Sequence, residues 1–226
     1  MLYNREKLDR HLINNGCVGF FEKPIKLKSG RDGYYYINVR KAIETKSGKD
    51  LVAKAVYDHT MDQGLRPDIF LGVPDGATPI ALAATDLIDY IPAESLYETM
   101  LRQTPKDHGD PSDRYSVGRL IPGASTIILE DVSTTGQSGE PAIENVQKSG
   151  LLVKQFKSIA SRREIRDDGK TVEQFYMEKF KVPYDALTDI TTLLPAAAKE
   201  FSVPKSVLDA AEDYMKKYCS VQVKLY

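Results

Sequence analysis

The sequence has few cysteines, no excess of charge and no long apolar segment, and each shortage excludes a class of protein. Its two cysteines, Cys17 and Cys219, lie far apart and outside any metal-ligand spacing, which argues against a disulfide framework or a zinc site. The 31 basic residues are balanced by 32 acidic ones, so no overall field favours nucleic acid or an anionic membrane. No apolar run approaches the roughly 20 residues that span a bilayer.

The chain does contain enough apolar sequence for one sizeable core. With 226 residues and 42% hydrophobic content, it can bury a single domain with a small appended subdomain. The first ten residues, MLYNREKLDR, are charged from residue 5 and contain no apolar stretch typical of a secretory signal. We therefore expect a soluble cytoplasmic protein in a reducing compartment, with no nucleic-acid or membrane partner.

Apolar periodicity predicts strands that alternate with helices. Helices are expected over 4–15, 48–63, 80–88 and 204–217. Strands are expected as two short segments within 20–42, and then at 67–74, 94–101, 126–131, 151–160 and near 184–190. This alternation is typical of an α/β fold with a mainly parallel sheet. Residues 103–118, QTPKDHGDPSDRYSVG, form a long polar insert, which is either a lid or a disordered surface segment.

The most informative stretch is TIILEDVSTTGQSGEPAIENVQKSG, residues 126–150. An apolar strand ends in Glu130 and Asp131, hydroxyls and glycines follow, and a helix begins with Pro141 in its first turn. In a parallel sheet, ligands bind at the carboxyl ends of the strands, and the two acids lie at such an end. Two carboxylates can accept hydrogen bonds from the vicinal hydroxyls of a ribose, and N–H groups at a helix start can bind its 5-phosphate. The alternative is an ordinary turn after solvated acids; neither a P-loop nor a dinucleotide fingerprint is present.

Four motifs carry a resemblance to a known family. IILEDVSTTGQSG resembles the phosphoribosyl-pyrophosphate (PRPP) signature of type I phosphoribosyltransferases. LKSGRDGYYYINVR (27–40), GVPDGATPIA (72–81) and MLRQTPKDHG (100–109) narrow the resemblance to orotate phosphoribosyltransferase, and the match covers roughly residues 10–195. The resemblance implies the type I phosphoribosyltransferase fold, a central mainly parallel sheet flanked by helices. The single domain, 1–226, would have a small hood mainly from 1–45 plus C-terminal segments, and a core of about 46–195.

The resemblance also implies an activity. It is Mg²⁺-dependent transfer of the phosphoribosyl group from PRPP to orotate, giving orotidine 5′-phosphate and pyrophosphate in de novo pyrimidine (UMP) synthesis. The metal would be held mainly by PRPP and water, with no dedicated protein ligands. A homodimer is implied, in which the lid of one subunit serves the active site of the other. The chain is too short to include a decarboxylase domain as well, so we expect that step to need a separate protein.

Residue roles follow from the resemblance position by position. Glu130 and Asp131 should hold the ribose hydroxyls, although the family more often has two aspartates. The 5-phosphate should be wrapped by Ser133, Thr134, Thr135, Gly136, Gln137 and Ser138. Arg162, Tyr36 and Ile37 should contact orotate, with Arg162 facing its carboxylate. The alternatives are a surface salt bridge for Arg162 and an ordinary β-segment for the tyrosines.

The pyrophosphate group should be met by a second set of residues. This set is Lys28, Asp75 and Gly76, with Arg102, Lys106 and His108 as catalytic residues on the lid. A solvated turn is the alternative for Lys28. The resemblance further suggests a cis peptide near Pro74-Asp75. Family members often have cations where this chain has Gln103 and Gly76, so Mg²⁺ must carry more of the neutralisation, and Arg114 or Lys41 could compensate.

Two other functions remain open. A phosphoribosyltransferase for a purine or uracil would share residues 126–139 but should lack the K-S-G and K-D-H-G stretches. A PRPP-binding regulator without catalysis would be expected to lose the lid cations, whereas Lys106 and His108 are present.

Overall fold

The structure is a computed structural model that describes residues 2–27, 30–110 and 114–226. The helices span Arg5–Asn14 (α1), Lys46–Asp62 (α2), Thr78–Thr85 (α3), Gly139–Lys148 (α4), Val172–Phe180 (α5), Ile190–Glu200 (α6) and Lys205–Tyr218 (α7). The strands span Val18–Lys26 (β1), Asp32–Ile37 (β2), Ile69–Gly72 (β3), Met100–Leu101 (β4), Ser116–Val117 (β5), Ser125–Ser133 (β6), Leu152–Ser161 (β7) and Tyr184–Asp189 (β8). Short 3₁₀ helices lie at Val39–Ile43 and Ala93–Ser95.

A parallel four-stranded sheet forms the centre of the fold. Its strand order is β3-β6-β7-β8, and all three neighbouring pairs are parallel. Each parallel connection passes through helical segments, which lie on the faces of the sheet, as expected when both faces must be covered. The predicted α/β fold with a mainly parallel central sheet is therefore confirmed.

Alternate residues of the central strand face two different cores. Ile127 and Leu129 belong to a large cluster with residues of α1, α2, α3, α6 and α7. Ile128, between them, packs in a second cluster with residues of α4 and α5. This alternation follows from the two-residue period of a strand, and burial on both faces explains why the apolar residues 127–129 follow one another without a break.

A second, antiparallel sheet is formed by β1 and β2 and contacts α7 and α6. The C-terminal segment also packs here: Cys219 forms an antiparallel bridge with Glu164, and Val223 and Leu225 are buried. N-terminal and C-terminal segments thus lie together, although the limits of a hood and a core stay a prediction.

Several sequence predictions need correction. The stretch 94–101 is a strand only at its end, Met100–Leu101, because it begins with a 3₁₀ turn. The polar insert returns through Ser116–Val117, which pairs with that end, so the described part is a loop on a short antiparallel stem. Helices α5 and α6 were not predicted. No helix in the described ranges is both long and apolar enough to cross a bilayer.

Candidate active site

The carboxyl ends of β3, β6 and β7 meet at one edge of the sheet, and a cleft lies there. Two backbone hydrogen bonds continue the pairing of the strands there. The Val73 N–H donates to the Leu129 carbonyl at 2.8 Å, and the Arg162 N–H donates to the Ser133 carbonyl at 2.9 Å. The cleft contains about 850 Å³ of empty space. Its described lining residues are Leu27, Tyr36, Ile37, Asn38, Arg40, Val73, Pro74, Glu130, Asp131, Val132, Thr134, Ser138 and Arg162.

The acidic pair lies at the end of β6, where the sequence predicts it. Glu130 is buried and its carboxylate accepts a hydrogen bond from the Ser138 hydroxyl. Asp131 is partly exposed; its Oδ1 accepts from the Val132 N–H at 2.9 Å, and its Oδ2 lies 3.1 Å from the Nε of Arg40. One acid therefore faces the start of α4, and the other faces the open part of the cleft.

Residues 133–138, which we call the phosphate loop, connect this strand to α4. The Tyr176 hydroxyl donates to the Gly136 carbonyl at 2.6 Å, and Arg166 Nη1 donates to the Thr135 carbonyl at 2.6 Å. Burial raises the pKa of the Tyr176 phenol, so the hydroxyl keeps the proton that it donates. The loop backbone is thus held through two of its carbonyl groups by side chains outside the cleft, an arrangement that suits a loop whose N–H groups bind an anion.

Arg162 lies at the end of β7 and is only 3% exposed, so it is not part of a surface salt bridge. Its Nε donates to Glu164 Oε1 at 2.7 Å. Glu164 is also held by Arg31 Nη1 at 3.0 Å and by the Tyr214 hydroxyl at 2.9 Å. The Tyr35 ring lies 4.4 Å from the Arg162 guanidinium carbon. These contacts fix the inner edge of the guanidinium.

Arg162 also lines the cleft. Nη2 of Arg162 is buried and has no hydrogen-bond partner within the described ranges of the chain. A buried donor without a partner is costly, since it has lost its hydration and gained nothing in return. A carboxylate bound in the cleft would supply the missing acceptor.

The three consecutive tyrosines of β2 separate by strand alternation. Tyr35 is fully buried, whereas Tyr36 is 44% exposed and lines the cleft together with the buried Ile37. Both interpretations of the sequence therefore apply to this segment. It is a strand that faces the core at Tyr35, and it forms a wall of the cleft at Tyr36 and Ile37.

No protein-family model matches this chain. The orotate phosphoribosyltransferase of Aquifex aeolicus (strain VF5) is 33% identical over 167 residues, which are 73% of this chain and 87% of that protein. The chain belongs to the orotate phosphoribosyltransferase family.

Two solved structures share the fold at lower identity. Orotate phosphoribosyltransferase from Francisella tularensis superposes with a TM-score of 0.69 at 18% identity, over 93% of this chain and 98% of that one. Leishmania donovani UMP synthase superposes with a TM-score of 0.72 at 21% identity, over 93% of this chain. This chain corresponds to 42% of the UMP synthase chain. The fold class expected from the resemblance, that of the phosphoribosyltransferases, is confirmed.

The cleft brings together only part of the site predicted for this family. The predicted residues that line it are Tyr36, Ile37, Glu130, Asp131, Thr134, Ser138 and Arg162. The remaining residues of the phosphate loop do not line the cleft; they are Ser133, Thr135, Gly136 and Gln137. Gly76 lies against it, since a Cβ atom there would be 2.2 Å from Asp131 Oδ2. Asp75 is exposed on the same loop, and the peptide bond between Pro74 and Asp75 is cis, as the resemblance suggested. Lys28 falls outside the described residues.

The three lid residues do not line the cleft. Arg102 Nε donates to the Ser116 carbonyl at 3.1 Å, and the Lys106 N–H donates to the Arg114 carbonyl at 2.8 Å. His108 is exposed, and its Nδ1 lies 2.8 Å from Oδ1 of Asp107. The loop that carries these cations extends from the β4–β5 stem, so its part in catalysis stays a prediction.

Two polar residues that line the cleft, Asn38 and Arg40, were not predicted from the sequence. Asn38 accepts a hydrogen bond from the Arg40 N–H at 3.2 Å and caps the 3₁₀ helix that carries Arg40. Both residues follow the end of β2, in the stretch YYYINVR. Their position after a strand was the signal that could have placed them at the cleft. The cations that line the described part of the cleft are Arg40 and Arg162; Lys41 and Arg114, considered as compensating charges, do not line it.

The donor set of the cleft suits a magnesium ion that keeps most of its water. The described residues contain no cluster of three or more His, Cys, Asp or Glu side chains that could hold a metal alone. Glu130 and Asp131 do offer carboxylate oxygens at the cleft. Mg²⁺ is commonly held by one or two carboxylates together with substrate phosphates and water, so these residues fit it.

Proposed function

We propose that this chain transfers the phosphoribosyl group from PRPP to N1 of orotate, giving orotidine 5′-phosphate and pyrophosphate in pyrimidine synthesis. One observation carries the proposal. A single cleft joins an acidic pair and a phosphate loop, suited to a sugar phosphate, to a buried guanidinium edge that lacks an acceptor. Membership of the family supports the same activity.

The ribose 5-phosphate part of PRPP is assigned to β6 and the phosphate loop. Glu130 and Asp131 accept hydrogen bonds from the ribose hydroxyls. The backbone N–H groups of residues 134–138, with the hydroxyls of Thr134 and Ser138, surround the 5-phosphate at the start of α4. The sugar is thereby held at two ends, which fixes the anomeric carbon between them.

Orotate is assigned to the wall formed by β2 and the end of β7. Its carboxylate accepts hydrogen bonds from Arg162, and its ring lies beside Tyr36 and Ile37. Uracil and hypoxanthine lack this carboxylate and would leave the Arg162 edge unsatisfied. A buried polar group that only the correct substrate satisfies gives strong selectivity, so the cleft favours orotate over these bases.

The reaction breaks the bond from the anomeric carbon to pyrophosphate and the N1–H bond of orotate, and it forms the bond from the anomeric carbon to N1. The N1 proton passes to pyrophosphate or to solvent. Positive charge develops on the sugar ring and negative charge on the leaving pyrophosphate. Arg102, Lys106 and His108 are assigned to that negative charge, with His108 able to transfer a proton to a pyrophosphate oxygen. Mg²⁺, when bound with PRPP, supplies further neutralisation of the pyrophosphate. Lys28 and Asp75 are assigned to the same group.

A lid must exclude water, because water would trap the cationic sugar. The loop between β4 and β5 is the segment that can close over the cleft. We assign it to the cleft of a second subunit in a homodimer, since Arg102, Lys106 and His108 do not line the described part of the cleft in their own chain.

The activity is tested by mixing protein, PRPP and Mg²⁺ with orotate and following the loss of orotate absorbance. Parallel reactions with uracil and hypoxanthine test the base. Turnover of orotate alone supports the proposal. Turnover of another base without orotate would identify a different phosphoribosyltransferase, and PRPP binding without any turnover would identify a regulator.

A further inference from the structure

Two cations, Arg40 and Arg162, line the part of the cleft that the structure describes, and Arg40 is the one on its open side. Arg162 is buried and its inner edge is bound to Glu164 at 2.7 Å. Arg40 lies at the open side, with 62% of its side chain exposed. PRPP brings several negative charges to a region that already contains Glu130 and Asp131, so a cation beside the leaving group is required.

Arg40 is placed by local structure. It lies in the 3₁₀ helix Val39–Ile43, whose first turn is capped by the Asn38 side chain. Val39 and Ala42 of the same helix are buried, which anchors the turn to the core. The exposed guanidinium therefore extends from a fixed base and can move between partners.

The present partner of Arg40 is one of the ribose-binding acids. Its Nε lies 3.1 Å from Asp131 Oδ2, in an ion pair whose arginine side chain is 62% exposed and whose aspartate side chain is 21% exposed. Water reaches the arginine and weakens the pair, so a ligand that offers phosphoryl oxygens can open it. While the pair is closed, one oxygen of Asp131 is occupied by Arg40 rather than by a sugar hydroxyl.

Gly76 shows that this pair occupies the space beside the loop after β3. A Cβ atom at Gly76 would lie 2.2 Å from Asp131 Oδ2 and 2.9 Å from Arg40 Nε. Gly76 itself provides no charge. The guanidinium of Arg40 thus stands where a side chain at position 76 would project, next to the loop that is assigned to pyrophosphate.

We propose that Arg40 is a further pyrophosphate-binding cation of this cleft and that its pair with Asp131 opens when PRPP binds. Arg40 moves to the pyrophosphate oxygens, and Asp131 is released to the ribose hydroxyls. The guanidinium fork suits two phosphoryl oxygens at once. Lys41, the next residue, is exposed but lies outside the cleft, near Gly16.

This inference rests on the proposed function, and its test uses binding rather than turnover. Calorimetric titration of Arg40→Gln with Mg²⁺ and PRPP, without orotate, should show a dissociation constant raised by about 10- to 100-fold, the effect of one or two charge-assisted hydrogen bonds. Titration with ribose 5-phosphate, which lacks the pyrophosphate, should show an unchanged or lower dissociation constant. Arg40→Lys should fall between wild type and Arg40→Gln.

The matched control is Arg10→Gln, which removes another exposed arginine–carboxylate pair, with Glu6, far from the cleft. It should bind both ligands as wild type does. Equal weakening of PRPP and ribose 5-phosphate by Arg40→Gln would show a structural role and overturn the proposal. So would an unchanged affinity for PRPP, or the expected loss appearing in Lys41→Gln instead. Wild-type protein that binds PRPP but never consumes orotate would refute the proposed function and leave the Arg40 result interpretable.

Discussion

The hydroxyl of Tyr176 donates a 2.6 Å hydrogen bond to the carbonyl of Gly136 and so joins α5 to the phosphate loop. Both groups are buried. Gly136 has a φ of +74°, and a Cβ atom at Gly139 would lie 2.2 Å from the Tyr176 oxygen. The loop can approach the phenol so closely because glycine occupies both positions. The phosphate loop therefore depends on a residue that does not line the cleft.

Tyr176→Phe should weaken PRPP binding without removing any atom that touches the substrate. The Gly136 carbonyl would lose its partner, and an unsatisfied buried acceptor costs about 1–3 kcal/mol. We expect lower thermal stability and a several-fold higher KM for PRPP. Tyr90→Phe is the matched control, because its hydroxyl also donates to a backbone carbonyl, that of Pro67, at 2.6 Å. An unchanged KM for PRPP in Tyr176→Phe would contradict a role for this bond in shaping the loop.

Arg162→Lys should raise the KM for orotate while leaving PRPP binding almost unchanged. Lysine keeps the positive charge beside Glu164 but lacks the planar fork, so we expect a loss of about 2 kcal/mol in orotate binding, or roughly 30-fold. Steady-state kinetics with each substrate varied in turn measures this split. Arg163→Lys is the control, since Arg163 pairs with Asp189 and Glu173 outside the cleft. Equal increases in both KM values would indicate general damage to the cleft.

Lys106→Ala should reduce kcat far more than it weakens PRPP binding. The lysine is assigned to charge that develops only as pyrophosphate leaves, so its removal should cost roughly 100-fold in kcat. The measurement is kcat from initial rates together with the PRPP dissociation constant from calorimetry. Lys199→Ala, an exposed lysine at the end of α6, provides the control. Small and equal effects on both quantities would remove Lys106 from the chemistry.

Stability should fall on acidification because of a partly buried cluster at the end of α2. His59 Nδ1 lies 3.3 Å from Lys157 Nζ, and Asp185 and Gln63 complete the cluster. Burial, together with the Lys157 charge, lowers the pKa of His59 to about 4. Unfolded His59 takes up its proton near pH 6.5, so the unfolded state binds more protons than the folded state between about pH 6.5 and 4. Stability is therefore lost as the pH falls through that window.

His59→Gln should flatten this acidic limb by about 3 kcal/mol, because the substituted residue has no proton to bind. Urea denaturation at a series of pH values between 7 and 4 measures the difference. A wild-type slope in His59→Gln would show that other groups control the acid sensitivity. Burial also lowers the pKa of Lys157 to about 8, so the same linkage predicts that stability rises with pH from about 8 towards 10.5.

Most of the sheet could be predicted from the sequence because its signals are local. The strand Ser125–Ser133, the acids at its end and the helix after Ser138 follow from an apolar run, two charges and a glycine-rich turn. Helix α5 was missed although it carries a readable capping box, in which Thr171 and Gln174 bond each other's backbone N–H. Helix α6 was missed because it starts directly after a buried strand, with Asp189 as its cap, and contains Pro195.

The sequence by itself determined the order of strand, acidic pair, phosphate loop and helix, since each of these depends on neighbouring residues. Only the tertiary structure decided which distant side chains share the cleft. Arg162 lines the cleft while Glu164 holds its Nε, and Glu164 is held in turn by Arg31, 133 residues away in the chain. Arg40 meets Asp131 across 91 residues. Contacts of that range form when the core packs, and no periodicity or spacing in a single chain specifies them.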